Sequence, residues 1–388
     1  PGKLANVATG LEDVQRACAA FAVDDCARFC GIQADTIRRI ARDLAAAEAG
    51  ICYGRMGVST QAFGALCQWL IQVINIATGN LDREGGMLFA LPAFDNVAGG
   101  GRGGFGRHRS RVRGLPEFDR ELPAAALAEE ITTPGEGQVR TLFTGAGNPV
   151  LSTPSGSALE ESLPQLDFMV SLDPYINETT CHADIILPPT SPLEHDHYDI
   201  AFHNNAIRNT ARMNEPIFDK PEGALHDWEI FNELGQRFAQ AMGNDWQATP
   251  APRELIDMGL QMGPYREQDL SLAALAEHPS GIDLGPLQPQ FPERLFTADK
   301  MIHCATPEPL ADLARLLASM ESEADSLRLI GRRHVRDCNS WMHNYHRLVK
   351  GRDRCVALLH PDDLASRGIV DGGLITVRSR AGEVRLPC

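Results

Sequence analysis

The sequence predicts an α/β protein with parallel sheets, closed by a β-rich C-terminal module. Strand-length apolar runs at Val139–Thr144, Asp167–Leu172 and Asp184–Leu187 each end in a Gly, Asp or Pro turn. Helix-period stretches lie before and between them, and strands that alternate with helices build parallel sheets. From Leu327 the pattern changes to short apolar runs. It ends in a hairpin of Leu374 to Ser379, a turn at Ala381-Gly382, and Glu383 to Leu386.

The elements follow in order. Ala34 to Ala47 is a helix whose apolar face carries Ile37, Ile40, Ala41 and Leu44, stopped by Gly50. Ile51 to Tyr53 is a short strand, Gly54 to Gly57 a turn, and Thr60 to Thr78 a long helix ended by Gly79-Asn80. After the strand at Val139 comes a helix at Ser157 to Leu163, with Ser157 and Glu160 spaced as a capping box. Asp227 to Gln240 is amphipathic, with Trp228, Ile230, Phe231, Leu234 and Phe238 available for its buried face. From Gly243 to about Glu323 proline is frequent and periodic signal is poor. Leu327 to Ile330 and Cys355 to Leu359 are strand candidates, and Pro361 opens a helical turn.

The chain has 388 residues, more than one compact core holds. Its 36 Lys and Arg against 51 Asp and Glu give a net charge of −15, which disfavours a nucleic-acid partner. The longest apolar stretch, Ala62 to Ala77, is broken by Gln68, Gln72 and Asn75, so no transmembrane segment is predicted. Ten scattered cysteines contain no C-x-x-C pair, which argues against a zinc ribbon, a cluster held by this chain, or a disulfide scaffold. Reduced thiols and the lack of a readable signal peptide suggest the cytoplasm. The chain starts at Pro1 and stops right after a hairpin, which reads as a portion of a longer polypeptide.

Ligands of a parallel sheet sit at the carboxyl ends of its strands. The loops that fall there are Gly54 to Gly57, Gly145 to Pro149, Asp173 to Thr180 and Pro188 to Glu194. Two glycines in the second let a ligand approach the backbone, and Asp173 places a carboxylate just beyond a strand, as a nucleotide site needs. Asn96 to Gly114 is Gly/Arg-rich and aperiodic. Its Gly101-x-Gly103-x-x-Gly106 matches the dinucleotide fingerprint in form, but no strand precedes it and no helix follows. It reads as a solvated, mobile linker; the alternative is a cationic wall of Arg102, Arg107, His108, Arg109, Arg111 and Arg113 for an acidic ligand. His195, His197 and His203, with Asp196 and Asp199, read as polar loop residues in preference to a metal site, because no recognised ligand spacing closes. No metal ligand is assigned.

Taken together, the ordered motifs resemble those of the molybdopterin oxidoreductase family, which includes formate dehydrogenases, nitrate reductases and dimethyl sulfoxide reductase. They are Gly54-Arg55-Met56-Gly57-Val58-Ser59-Thr60-Gln61, Ala77 to Gly86 around Thr78-Gly79-Asn80, Gly145-Ala146-Gly147-Asn148-Pro149, and Asp173 to Pro189, with Glu194 and His226-Asp227-Trp228 following. The tail from Leu327 is similar to the start of that family's dinucleotide-binding β-barrel domain.

The resemblance implies two Rossmann-like parallel-sheet domains plus the start of a C-terminal β-barrel domain. The expected boundaries are 1–95 for the end of the first α/β domain, 96–138 for a Gly/Arg-rich connection, 139–325 for the second α/β domain and 326–388 for the truncated barrel. It implies two molybdopterin guanine dinucleotides with molybdenum or tungsten, and a 4Fe-4S cluster on a region upstream of this chain. Arg55, Met56, Gly57 and Gln61, with Gly145, Asn148 and Pro149, would line one dinucleotide. Asp173 would take its guanosine part, Asn177 and Thr179 its phosphates or ribose, and Asp227 would be a further contact. Arg333, His334, Arg336, Asn339, Ser340 and Trp341 match the loop that opens the barrel and touches pterin or phosphate. The family's metal-ligating residue lies upstream of the matched region, so the catalytic residues are unassigned. Glu194-His195-Asp196-His197-Tyr198 replaces the Glu-x-x-Gly-Thr of many members and leaves the substrate open.

The implied function is the cofactor cradle of an enzyme that performs two-electron chemistry on a small-molecule substrate, served by an electron-transfer subunit or redox carrier. The alternative is a non-catalytic relative within an electron-transfer complex. A two-lobed small-molecule binding protein is a weaker third reading, since it leaves the β-rich tail unexplained.

Overall fold

The computed structural model describes residues 2–99, 103–320, 327–380 and 382–388. The chain forms two compact units. The first combines Pro1–Gly100, Asp196–Ile217 and Thr249–Leu327; the second combines Gly101–His195, Phe218–Ala248 and Arg328–Cys388. The stretch 139–325 is therefore shared between both units. The architecture is mixed α/β with small sheets.

In the first unit the helix Gly64–Ala77 is central. Its Leu66, Val73 and Ile76 are buried; Val73 and Ile76 share a core with Leu4, Val14, Leu81 and Cys304. The Trp69 indole N–H donates to the Cys304 carbonyl at 2.8 Å. This helix starts four residues later than the sequence suggests, because Met56–Ser59 forms a separate short turn of helix before it. The two meet so closely that a Cβ on Gly64 would lie 1.9 Å from the Ser59 carbonyl oxygen. The expected strand at Ile51 to Tyr53 is absent. The Asn75 side chain takes the place of a neighbouring strand, accepting from the Cys52 N–H and donating to the Cys52 carbonyl, both at 2.8 Å. The turn after the helix closes on a buried carboxylate: Asp82 accepts the N–H groups of Gln290 and Phe291 at 2.9 Å.

The helix Ala34–Ala46 forms where periodicity places it. Its apolar face is less covered than expected: Ile37 and Leu44 are half-buried, whereas Ile40 is 54% exposed and Ala41 is exposed. The proline-rich region also holds more structure than its periodicity reveals. Helices run over Pro252–Met262 and Pro307–Met320, each opened by its proline. A second core gathers Tyr198, Met213, Ile256 and Leu260. The strand Ala8–Thr9 pairs in parallel with Ile302–His303, a contact between the first and last segments of this unit.

The second unit is built on three parallel strands, Thr141–Gly145, Phe168–Leu172 and Ile185–Leu187, hydrogen-bonded in that order. Alternation sorts their side chains onto two faces. Leu142 and Met169 meet Ile131, Val150, Leu159 and Leu163 on one. Val170 and Leu172 meet Ile230 and Leu234 of the helix Asp227–Ala241 on the other. Phe231 and Phe238 of that helix are 50% and 61% exposed, so its buried face is narrower than the sequence suggests. The helix expected at Ser157 runs over Gly156–Ser162 instead. Its N-cap is Ser155, so Ser157 lies inside the helix and the expected capping box does not form.

The Gly/Arg stretch is ordered as a hairpin of Phe105–Arg109 with Pro116–Phe118. Gly101 and Arg102 lie outside the described residues. The tail hairpin pairs Leu374–Arg378 with Glu383–Pro387, and Ala381 in its turn also lies outside them. Leu327 to Ile330 and Cys355 to Leu359 are not strands; the Ala357 N–H makes a single ladder-like bond to the Pro387 carbonyl at 2.8 Å. Among the described residues the tail contains no closed barrel.

Candidate functional site

Two loops of the second unit leave the carboxyl ends of adjacent parallel strands and are tied together by side chains. The first runs from Gly145 to Pro149. Its Ala146 N–H donates to the Leu172 carbonyl at 2.9 Å, which continues the sheet pairing past the strand end. A Cβ on Gly147 would meet the Gly145 carbonyl oxygen at 3.7 Å, an ordinary van der Waals contact within the turn itself. The second loop runs from Asp173 to Thr180. Asp173 accepts from the Tyr175 N–H at 2.8 Å and from Asn177 Nδ2 at 3.2 Å. Asn177 Oδ1 in turn accepts the N–H groups of Thr179 and Thr180.

Asn148 joins the loops. Its Oδ1 accepts from the Thr179 hydroxyl at 2.7 Å, and its Nδ2 donates to Glu178 Oε2 at 2.7 Å. Thr179 is fully buried and its oxygen also accepts from the Val150 N–H at 3.1 Å. Thr179 therefore acts on anything outside the protein through Asn148. Asp173 is different. At 8% exposure it makes one bond per oxygen, and a carboxylate offers about four acceptor sites, so it retains capacity for a further donor. The site is fixed in advance by hydrogen bonds that satisfy most of its buried polar atoms.

A third segment of the same unit reaches these loops. Residues 333–345 are irregular and mostly turns, with Cys338 and Asn339 in left-handed conformations. His343 Nε2 lies 3.4 Å from Glu178 Oε1, and the hydroxyls of Tyr345 and Tyr175 are 2.6 Å apart. The Asn148 and His343 contacts, the first outweighing the second, hold the Glu178 carboxyl below its ordinary value. Of the residues singled out in sequence, Arg333, Arg336, Asn339 and Trp341 are exposed, and His334 and Ser340 half-buried. His334 Nδ1 accepts the Arg336 N–H at 3.1 Å. Arg333 and Arg336 form no ion pair among the described residues. Sequence reading did not single out Glu178, His343 or Tyr345, the residues that connect the segments. Glu178 stands between two chosen residues, Asn177 and Thr179; His343 and Tyr345 carry no local signal.

Asp227 occupies the first turn of its helix and is half-buried. Before it, His226 is fixed from two sides: its N–H donates to Glu229 Oε2 at 2.7 Å and its Nδ1 lies 2.6 Å from the Thr190 hydroxyl. Arg55, Met56, Gly57 and Gln61 belong to the first unit, on or beside the Met56–Ser59 turn, and all four are exposed. Gln61 Nε2 is folded back onto the Gly57 carbonyl at 2.9 Å.

Among the described residues the arginine-rich stretch is a hairpin rather than an unstructured linker, and carboxylates neutralise three of the arginines that a cationic wall would need. Arg107 pairs with fully buried Glu117 at 3.1 Å, Arg111 with Glu130 at 3.2 Å, and Arg113 with Glu129 at 2.5 Å. Arg109 caps the Gly114 carbonyl. Burial pushes the Glu117 carboxyl upward, but hydrogen bonds from the His108 and Arg120 N–H groups and from Arg107 outweigh it and hold the pKa below 4.5. The histidines do not converge. His195 stacks edge-on against His226 in the second unit, while in the first His203 packs on Tyr198 and Asp196 pairs with Arg253. Among the described residues no three His, Cys, Asp or Glu side chains are arranged to hold a metal ion. The first unit also has an open cavity of about 780 Å³ walled by Phe94, Leu255, Met258 and Met262, which none of the expected site residues lines.

Residues 18–237 match the family model described as "Molybdopterin oxidoreductase", and residues 327–388 match that of the "Molydopterin dinucleotide binding domain". The chain is 25% identical over 257 residues to the assimilatory nitrate reductase catalytic subunit of Bacillus subtilis, covering 60% of this chain and 34% of that protein. It is 27% identical over 246 residues to the F420-dependent formate dehydrogenase 2 subunit alpha of Methanococcus maripaludis, covering 60% and 35%. The acetylene hydratase from Pelobacter acetylenicus superposes with a TM-score of 0.68 over 99% of this chain and 57% of that one. Its sequence identity is 15%, so that likeness concerns the fold alone. The chain spans about a third of the length of these two curated relatives.

Proposed function

Since the chain belongs to the molybdopterin oxidoreductase family, we propose that it forms part of a molybdenum or tungsten enzyme that binds two pterin–guanine dinucleotides. In this reading the enzyme performs two-electron redox chemistry on a small substrate and exchanges electrons with a subunit or carrier. Metal and dithiolene, when bound, supply that redox chemistry; this chain supplies binding and orientation. Two Rossmann-like domains and the start of a β-barrel domain are the architecture that goes with it. A cytoplasmic site of action is part of the same reading.

The observation that carries the reading is the polar cluster at the carboxyl ends of the parallel strands. Its residues fit such a ligand. Asp173 keeps acceptor capacity for the N1/N2 edge of guanine. His182 Nε2 and His343 Nδ1, on segments flanking the cluster, are buried without a partner among the described residues. Arg333 and Arg336, exposed and not ion-paired there, suit a pyrophosphate. Asn148 and Asn177 shape the cradle, with Thr179 acting behind Asn148. Gly145 and Pro149 bound its first loop, and Asp227, His334, Asn339, Ser340 and Trp341 are its further contacts. The first unit by itself offers exposed Arg55, Met56, Gly57 and Gln61 as dinucleotide contacts. The chain assigns no protein ligand to the metal and no 4Fe-4S ligands.

Elemental analysis of the protein from its native host tests this. About one molybdenum or tungsten per chain is expected, and iron near four would add an upstream cluster. Asp173→Asn should lower both metal and guanine content at an unchanged melting temperature. An intact protein with neither metal would move the reading to the non-catalytic relative.

A further inference from the structure

Glu178 is placed where three segments of the second unit meet. Oε2 receives Asn148 Nδ2 at 2.7 Å from the 145–149 loop, and Oε1 faces His343 Nε2 at 3.4 Å from the 333–345 segment. The Tyr175–Tyr345 hydroxyl pair at 2.6 Å joins the 173–180 loop to that same segment. Both oxygens of Glu178 are turned to protein partners, although its side chain is 38% exposed. Asn148 also cannot choose its orientation freely, because Thr179 fixes its oxygen and Glu178 its nitrogen.

We infer that Glu178 is a positioning residue that sets the spacing between the 145–149 loop and the 333–345 segment, so that both close on one nucleotide. The inference rests on the nucleotide-binding reading given above. A carboxylate suits this place because it accepts on both oxygens, one for an amide and one for an imidazole N–H. Glutamine keeps the shape and the bond to Asn148, but its Nε2 presents hydrogens where His343 needs an acceptor. Glu178 therefore couples to His343 energetically, and the coupling reads out in ligand affinity rather than in folding alone.

The test is a double-mutant cycle on GDP binding, measured by calorimetry on the unaltered protein, Glu178→Gln, His343→Gln and the double variant. Each single change should weaken GDP binding about tenfold, with a melting temperature near that of the unaltered protein. The double variant should lose clearly less than the product of the two single losses, because both remove the same contact. Tyr345→Phe serves as a second probe of the junction and should weaken GDP binding by a few-fold. Losses that multiply in the double variant overturn the inference. So do variants that melt earlier yet bind GDP normally, which would make the contact merely structural. Failure of the unaltered protein to bind GDP is a distinct outcome, which removes the nucleotide reading and this inference with it.

Discussion

The Thr179 hydroxyl donates to Asn148 Oδ1 at 2.7 Å and at the same time accepts the Val150 N–H at 3.1 Å. One buried side chain thus fixes both the backbone and the amide of the opposite loop. Thr179→Val keeps the shape and removes both bonds, leaving a buried N–H and a buried amide oxygen unpaired. A loss of about 1–3 kcal/mol is expected in urea unfolding. Thr179→Ser keeps the hydroxyl and should lose less than half of that.

Acid should destabilise the second unit through its buried carboxylates. The Glu117 carboxyl lies below its ordinary value of 4.5 in the fold, so the unfolded chain binds more protons between the two values. Its contribution is complete above about pH 5 and is lost as pH falls through the folded value. Urea midpoints at pH 7 and 5 should agree, then drop at pH 4 and 3. Glu117→Gln should be less stable at pH 7 and show a shallower drop. An unchanged acid profile in that variant would remove Glu117 from the explanation.

Asn75 substitutes for a strand neighbour at Cys52, so Asn75→Leu should strip both backbone groups of Cys52 of partners. The expected cost is about 1–3 kcal/mol. Hydrogen exchange should accelerate at the Cys52 amide before it does so in the Gly64–Ala77 helix. Asn75→Asp keeps the acceptor and should protect that amide while losing the bond to the carbonyl.

Gly64→Ala tests the contact between the Met56–Ser59 turn and the helix after it. A methyl group 1.9 Å from the Ser59 oxygen cannot be accommodated in place. Destabilisation of about 1–3 kcal/mol is expected, the range of overpacked sites. Changes in amide chemical shifts should concentrate at Arg55 to Gln61 and leave the parallel sheet untouched.

Much of the second unit was legible because each strand of its sheet is a continuous apolar run ended by a turn residue. The three runs and the loop residues after them were placed to within a residue or two. The first unit was harder to read because side chains there do what backbone usually does. Nothing local announces that Asn75 will bracket Cys52, or that Asp82 will hold the backbone at residues 290–291. Composition misled at the Gly/Arg stretch for a similar reason. Arg107 and Glu117 read as separate charges in sequence and become one neutral pair across a hairpin. The site followed the same rule. Asp173 and Asn177 stand in a recognisable loop, whereas His343 and Tyr345 reach it from 165 and 170 residues away in the chain and leave no pattern.

The parallel pairing of Ala8–Thr9 with Ile302–His303 bears on how the protein is made. Thr9 leaves the ribosome 294 residues ahead of His303. At roughly 5–20 residues per second, that strand waits about 15–60 s for its partner. The first unit cannot be completed as a nascent domain during that interval, and stretches of the second are synthesised between its parts. The growing polypeptide therefore carries an open strand edge and unfinished apolar surface while the 294 residues between Thr9 and His303 are made, the condition in which a holding chaperone gives the greatest benefit.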